Sequence, residues 1–327
     1  MKKSEENNQV SIIILTYNSS KYLKSCIEHI FNQDFKNFEL IIVDNFSTDS
    51  TRRMLADLNI KQPKNVKIIL NSENLGYNGG NLIGIQNSKG SFIALVNSDA
   101  ILDESWLSNI MNTFKEDSEL VAINGILQNE DKSIQSTGGV LDIYGAVEQR
   151  KTILNNENYF YCTGAAFVFK RSLLSEIELD PNIFMYYDDV DFVWQTRLRG
   201  HRIGFCGIAN AIHFLGQSQP GLPVSKFYQI TKNRIYICLK NYSRNRIARR
   251  FLPIVFFVFL DSIYYSVKFR SAKYFFYMLK ALGWNIANLK KLSKEREKIQ
   301  KNRIIYDEEI EKFMLKNSIE LSRIGKK

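Results

Sequence analysis

The chain has 327 residues, 45% hydrophobic and 24% charged, proportions that exclude wholesale disorder and allow either one large domain with an appendage or two domains. Its net charge of +10 is unevenly spread: residues 1–220 hold 20 Lys/Arg against 26 Asp/Glu, and residues 221–327 hold 24 against 8. The basic third interleaves its charge with Phe, Tyr and Leu and has neither zinc spacing nor a recognition-helix pattern, which argues against nucleic acid and for an anionic membrane surface.

The N-terminal MKKSEENNQ has no apolar signal core, so a cytoplasmic catalytic part is expected. Val10–Leu15 (VSIIIL) reads as a strand buried on both faces. Ser19 or Ser20 is placed to cap a helix carrying Tyr22, Leu23, Cys26, Ile30 and Phe31. Phe38–Val43 is a second strand, Ser47 or Thr48 starts a helix with Met54 and Leu55, and Val66–Leu70 is a third strand. A Gly/Asn-rich loop, a short helix over Asn81–Ser88 and a strand over Ser91–Val96 follow. This alternation predicts a mostly parallel sheet under covering helices, with ligands at the carboxyl ends of the strands. A helix near 105–115, strands near 120–127 and 160–169 and a helix near 189–199 come next. Gln217–Pro223 is the best boundary, dividing a catalytic domain (1–220) from a basic, helical region (221–327). Cys26, Cys162, Cys206 and Cys238 form no CxxC pair, so neither a disulfide framework nor a zinc site is expected.

Polar residues gather at the predicted strand ends. Asp99, in Asn97-Ser98-Asp99, can reach a divalent cation on a diphosphate, or merely cap the next turn. Asp44 can accept the imide N–H of a pyrimidine base, or serve turn chemistry with Ser47, Thr48 and Asp49. The loop Asn74–Asn81 (NLGYNGGN) lets backbone approach a ligand closely but does not fit a dinucleotide fingerprint. Asp188, Asp189 and Asp191 repel one another, which raises at least one pKa and suits a general base; acids also favour a helix N-terminus. His213, in the run ANAIHF, is either a core histidine or a metal ligand.

Taken in order, VSIIILTYN, ELIIVDNFSTDST, NLGYNGGNLIGI, LVNSDA, CTGAAFVFKRSLL and FMYYDDVDFVWQTRLRGHRIGF followed by AIHF resemble the family 2 glycosyltransferases of GT-A fold, most closely the rhamnosyltransferase-like branch. The resemblance spans about residues 10–215. It implies an α/β fold with a mostly parallel central sheet flanked by helices, here with a basic helical C-terminal extension. It further implies that Asp44 binds the nucleobase with Thr16 and Asn18 lining the pocket, and that Asn74, Gly76 and Asn81 shape the donor site. Asp99 and His213 would be ligands of a divalent cation, Mg2+ or Mn2+. Asn97, where the family usually has an acid, would orient the sugar or a metal-bound water. Asp189 would be the catalytic base beside Asp188. The implied reaction is inverting transfer of one sugar from a UDP- or dTDP-sugar, dTDP-rhamnose favoured, to a polyprenyl-linked or oligosaccharide acceptor in cell-surface glycan assembly. The QxxRW signature of processive synthases is missing, which favours one sugar per encounter. A homo-oligomer is left open.

Phe251–Val267 is 17 residues, about 26 Å as a helix, marginal for crossing a bilayer, and Asp261 makes insertion costlier. With Tyr274–Trp284 and the flanking basic residues it reads as two amphipathic helices on the inner face of the membrane, or as helices packed on protein. Two rival readings stand. A sugar nucleotidyltransferase would carry a Gly-rich, basic loop where this chain has TYNSS, and an inactive nucleotide-sugar-binding subunit would be consistent with Asn97.

Overall fold

The computed structural model describes residues 9–60, 65–152, 159–214 and 222–324. Strands β1 (Val10–Thr16), β2 (Phe38–Asp44), β3 (Val66–Leu70) and β4 (Phe92–Asn97) form the parallel half of one sheet, linked by helices α1 (Leu23–Phe31), α2 (Thr51–Ile60) and α3 (Gly76–Gln86). The second half uses β5 (Ala100–Leu102), β6 (Leu120–Gln128), β7 (Ile134–Ser136), β10 (Ala166–Lys170) and β11 (Arg202–His213), with helices α4 (Trp106–Glu116) and α5 (Asp188–Leu198). A hairpin of β8 (Gly139–Leu141) and β9 (Val147–Gln149) stands apart. The strand order is β3-β2-β1-β4-β10-β6-β11-β5, with β7 beside β6. β10 is antiparallel to both β4 and β6, and β5 is antiparallel to β11.

The apolar runs of β1 and β2 explain their central places, because a strand with helices on both sides must be apolar on both faces. Ile12 and Ile14 pack with Leu23, Trp106 and Ile110 on one face. Ile13, one residue out of phase, belongs to the opposite cluster with Phe167, Trp194, Ile235, Tyr236 and Met278. That cluster includes residues from both sides of position 220. The basic third is helical: α6 (Val224–Asn241), α7 (Arg244–Lys268), α8 (Lys273–Ala287), α9 (Leu289–Lys301) and the short α10 (Asp307–Ile310) and α11 (Ile319–Ile324). Of these, α6 carries buried Phe227, Ile235, Tyr236 and Cys238 into the second core.

Several local expectations are corrected. Neither Ser19 nor Ser20 caps α1 through its side chain: the helix starts after Tyr22, and the carbonyl of Ser19 accepts from the Tyr22 and Leu23 N–H groups. α2 starts at Thr51, because Ser47, Thr48 and Asp49 are spent on a turn in which the Asp49 carboxylate accepts from the Thr51 N–H at 2.9 Å. α3 begins at Gly76 instead of Asn81, so most of the glycine-rich segment is helix. Glycine is required there because a Cβ at Gly80 would collide with the Leu15 side chain and Gly76 has φ +73°. The strand expected near 160–169 is regular only over Ala166–Lys170. Most of the boundary at Gln217–Pro223, like the first eight residues, lies outside the described residues.

Candidate functional site

Parallel register brings the polar strand ends to one edge: Thr16 lies opposite Asp44, and Leu15 opposite Asn97. In front of that edge is a cavity of about 690 Å³ whose lining includes Tyr17, Asn18, Asn74, Gly76, Asn97 and Asp99. Asn18 has φ +51°, and its Oδ1 accepts from the Thr48 N–H at 2.8 Å, tying the β1 loop to the β2 loop. Asn45 links β2 to α3: its Nδ2 donates to Asn74 Oδ1 at 2.9 Å, and its Oδ1 accepts from the Leu75 N–H at 3.0 Å. Behind this wall Asp44 is fully buried, with Oδ2 held by Arg52 Nε at 2.7 Å and by the Ser47 N–H at 3.1 Å. Among the described residues, Asp44 Oδ1 and the Thr16 hydroxyl, at neighbouring strand ends, are buried without a hydrogen-bond partner. An unpartnered carboxylate oxygen and an unpartnered hydroxyl, which can both accept and donate, suit a ligand that supplies an N–H or O–H donor. Asn81 is buried one turn into α3, where its Nδ2 donates to the Tyr77 carbonyl at 3.0 Å, and it does not line the cavity.

The antiparallel pairing of β5 with β11 puts His213 opposite Ala100, next to Asp99. His213 Nε2 lies 3.3 Å from Asp99 Oδ1, and Asn97 Nδ2 is 3.5 Å from the same nitrogen. The other ring nitrogen, Nδ1, is 2.8 Å from Gln135 Oε1. Gln135 is itself oriented, since its Nε2 donates to the His213 carbonyl at 2.8 Å and to Asn129 Oδ1 at 3.1 Å. Its Oε1 therefore accepts from Nδ1–H, which leaves Nε2 facing the Asp99 carboxylate. A ring nitrogen and a carboxylate oxygen this close can share a divalent cation, and a histidine fixed by a hydrogen bond on its far side is the usual second-sphere arrangement of a metal ligand. Among the described residues no group of three His, Cys, Asp or Glu side chains converges. Asp99 and His213 thus fit a cation whose remaining ligands come from a bound diphosphate and water.

A second cavity of about 560 Å³ shares Asn97 and Tyr77 with the first and is lined by His213, Asp188, Asp189, Lys226 and Ile230. Asp188 and Asp189 open α5 directly after Tyr186 and Tyr187, which have φ +66° and +68°. Consecutive left-handed non-glycine residues are strained by the order of 1–3 kcal/mol each. Asn233 of α6 holds them by donating to the carbonyls of Met185 at 2.9 Å and Tyr186 at 2.8 Å. Asp189 Oδ2 accepts from the Gly164 N–H at 3.0 Å and Oδ1 from the Val190 N–H at 2.8 Å, while the Tyr77 hydroxyl donates to the Gly164 carbonyl at 2.6 Å. Both carboxyls are half-exposed at the cavity wall yet closely surrounded by protein, and this desolvation raises both pKa values. Asp188 rises further because the Asp189 charge adds to its desolvation, whereas the backbone donors on Asp189 favour its ionised form. Asp191, one turn on, is different: it is buried, and its Oδ2 takes Lys240 Nζ at 2.7 Å while Oδ1 takes Asn241 Nδ2 at 2.9 Å. Lys240 also meets Asp180 at 2.8 Å, which makes a buried triad with no face on the cavity.

The family profile described as Glycosyl transferase family 2 matches residues 11–178, just over half of the chain. The chain belongs to glycosyl transferase family 2. This family 2 chain is 29% identical over 168 residues to the glycosyltransferase GlyG of Streptococcus pneumoniae, covering 51% of itself and 48% of that protein. It is also 29% identical over 178 residues to the GalNAc(5)-diNAcBac-PP-undecaprenol beta-1,3-glucosyltransferase of Campylobacter jejuni, covering 54% of itself and 56% of the relative. The matched region thus spans about half the length of these relatives. Among solved structures, GalNAc-T7 with UDP, GalNAc and Mn2+ matches with TM-score 0.62 at 13% identity, over 87% of this chain and 58% of that one. TarS 1-349 of S. aureus in complex with UDP matches with TM-score 0.51 at 19% identity, over 71% and 66%. The fold expected from the sequence motifs, an α/β GT-A sheet with a helical C-terminal region, is the fold present.

Of the residues singled out in the sequence, Asn18, Asn74, Gly76, Asn97 and Asp99 line the first cavity of this family 2 protein, and Asn97, Asp188, Asp189 and His213 line the second. Thr16 and Asp44 lie behind the first cavity. Gln135, Tyr77 and Asn233 carry no such signal in the sequence, and Asn45 stands out there only as a polar residue at the end of the second strand. The three amides carry no local pattern, because their partners are 29 to 78 positions away in sequence. Tyr77 lies inside NLGYNGGN, where nothing local marks its hydroxyl as the partner of the distant Gly164 carbonyl.

Proposed function

We propose that the protein transfers one sugar, with inversion, from a UDP- or dTDP-sugar to a polyprenyl-linked or oligosaccharide acceptor at the inner face of the cell membrane, as a step in cell-surface glycan assembly. The observation that carries this reading is the sharing of Asn97 by two cavities, one holding Asp99 and the orphaned Asp44 and Thr16 oxygens behind it, the other holding Asp189. Donor and acceptor then meet at the end of β4. Preference for dTDP-rhamnose among donors rests on motif resemblance alone. The polyprenyl-linked acceptor has support from the named substrate of the Campylobacter relative and from Lys226, which is half-buried over the Tyr186 ring at 4.9 Å and makes no ion pair among the described residues. Such a cation in the acceptor cavity suits a phosphate on the acceptor.

In this mechanism Asp189 takes the proton of the acceptor hydroxyl as that oxygen forms its bond to the anomeric carbon, while the bond to the nucleoside diphosphate breaks on the opposite face. Asp188 stays protonated and keeps a second negative charge away from the base. Asp99 and His213 would hold a divalent cation, which when bound would offset the negative charge that builds on the leaving diphosphate. Asn97 orients the sugar between the two cavities.

The experiment is a panel of nucleotide sugars tested on purified full-length protein for a melting shift that depends on Mn2+ or Mg2+. Donors that bind are then assayed for nucleotide release. Metal-dependent release lost in Asp99→Asn supports the reading. Release unchanged in that variant, or no donor bound with either metal, counts against it.

A further inference from the structure

We infer that the outward faces of α7 and α8 together form one membrane-docking surface, which lies in the plane of an anionic leaflet without crossing it. This rests on the reading above only in placing the acceptor in the same membrane. α7 is the one described helix long and apolar enough, by length and composition, to span a bilayer, and only 22% of its most apolar window is buried. At 25 residues it measures about 38 Å, against a hydrocarbon core of about 30 Å. Length therefore permits crossing, but attachment forbids it. The inner side of α7 buries Ile254, Phe257, Val258 and Ser262 against the protein. Midway along it, Asp261 meets Arg234 of α6 at 3.3 Å, and the Arg234 side chain is only 3% exposed. Near its start, Arg250 pairs with Glu311 at 2.9 Å and Arg246 with the same carboxylate at 3.1 Å. A helix fastened at both its start and its middle to a soluble body cannot thread a bilayer.

The opposite side is exposed. Leu252, Phe256, Ile263 and Val267 are 76%, 54%, 41% and 73% exposed, and their spacing puts them on one stripe of the helix. On α8, Phe276 and Ile286 are 63% and 68% exposed. Both helices rest on α6, where Phe227 makes edge contacts with Tyr265 and Tyr274, and they pack on each other through Phe259 and Phe275. The occupant is set by charge. Residues 244–287 contain eight Lys/Arg and one Asp, and Lys268, Arg270 and Lys273 at the turn between the helices are exposed. Lys280 lies over the rings of Tyr228 and Tyr277 at 5.3 and 5.4 Å, its stem along apolar surface. A second copy of this face would set basic rim against basic rim, whereas an anionic leaflet offers the complement of both rim and stripe.

The test uses full-length protein and vesicles without acceptor or donor, so its result is independent of whether the transferase reading holds. Phosphatidylcholine vesicles are compared with vesicles containing phosphatidylglycerol at low salt. Wild type is expected to sediment with the anionic vesicles and to be extracted by alkaline carbonate. Each of Lys268→Gln, Arg270→Gln and Lys273→Gln is expected to weaken binding about fivefold. Phe256→Glu with Phe276→Glu abolishes it, and the milder Phe256→Ser with Phe276→Ser weakens it with an unchanged melting temperature. The inference is overturned if wild type stays in the supernatant, if the double glutamate variant still binds, or if carbonate leaves the protein in the membrane as a crossing helix would. It also fails if the free protein is a dimer that the glutamate pair makes monomeric, because the face then belongs to a second copy.

Discussion

Replacing Asp189 with asparagine removes the proposed base while leaving the shape of the site nearly intact. A positioned general base contributes on the order of 10²–10⁴ in rate, which at about 1.36 kcal/mol per decade is roughly 2.7–5.5 kcal/mol of transition-state stabilisation. The structural cost is small by comparison. Asp189 accepts from two backbone N–H groups, those of Gly164 and Val190, and the asparagine can satisfy one with its oxygen but meets the other with its own N–H₂. One mismatched hydrogen bond costs about 1 kcal/mol, a melting shift of a few degrees. Donor binding is expected to hold, because Asp189 lines only the second cavity. The assay is incorporation of labelled sugar into lipid-extractable product on membranes that supply acceptor, with donor affinity measured separately by metal-dependent melting shift. In wild type the rate should climb with pH through an inflection above the ordinary carboxylate value of about 4, because burial raises the Asp189 pKa and only the ionised form takes the proton. If Asp188→Asn is the crippled variant and Asp189→Asn turns over normally, the assignment of the base is wrong and the charge argument with it.

Asp188→Asn should leave turnover within a small factor of wild type and stabilise the fold at alkaline pH. The native carboxyl has a raised pKa, so its contribution to stability is intact below the unfolded value of about 3.9 and is lost as pH rises toward the folded one. Melting curves of variant and wild type should therefore coincide near pH 4 and separate by a few degrees at pH 8. Gln135→Leu should weaken Mn2+ affinity about 10–100-fold, read by calorimetry with UDP present, because it frees the His213 ring without removing a ligand. Lys240→Met leaves Asp180 and Asp191 buried without their cation and should cost about 3–5 kcal/mol in denaturant unfolding. A change below about 1 kcal/mol would mean that the triad is neutralised in some other way.

The parallel half of the sheet was legible because buried strands announce themselves: VSIIIL, FELIIV and SFIALV are apolar runs too short for helices, and their polar ends point to the ligand edge. The pairing of Asp99 with His213 was legible only through motif order, since the two are 114 positions apart and the short β5 that joins them, Ala100–Leu102, carries no periodicity. α3 was misplaced for an energetic reason. Glycine at positions 76, 79 and 80 is poor helix chemistry in isolation, and what makes it helix is the close approach of α3 to Leu15, a tertiary fact. The charge split suggested a peripheral third, and there it misled in part. Arg234 and Lys240 count as surface charge in the sequence but are buried in ion pairs.

That last point changes what α6 is for. Its residues Asn233, Lys240 and Asn241 grip the segment from Met185 to Asp191 at both ends, the first by the Met185 and Tyr186 carbonyls before Asp188 and Asp189 and the others by the Asp191 carboxylate behind them. The left-handed backbone at Tyr186 and Tyr187 would relax without those amide donors, and relaxation would swing Asp188 and Asp189 away from the wall they share with Gly164. On its other side α6 carries α7 and α8, through Phe227 against Tyr265 and Tyr274 and through Tyr228 against Tyr277. One helix therefore joins the corner at Asp188 and Asp189 to the exposed apolar face, and Lys226 and Ile230, which line the second cavity, lie on that same helix. An acceptor anchored in a leaflet under α7 and α8 would have its reactive end delivered along α6. Substitutions at Lys226 or Ile230 should accordingly raise the KM for acceptor while leaving the metal-dependent melting shift with donor unchanged, since both residues line the second cavity and neither lines the first.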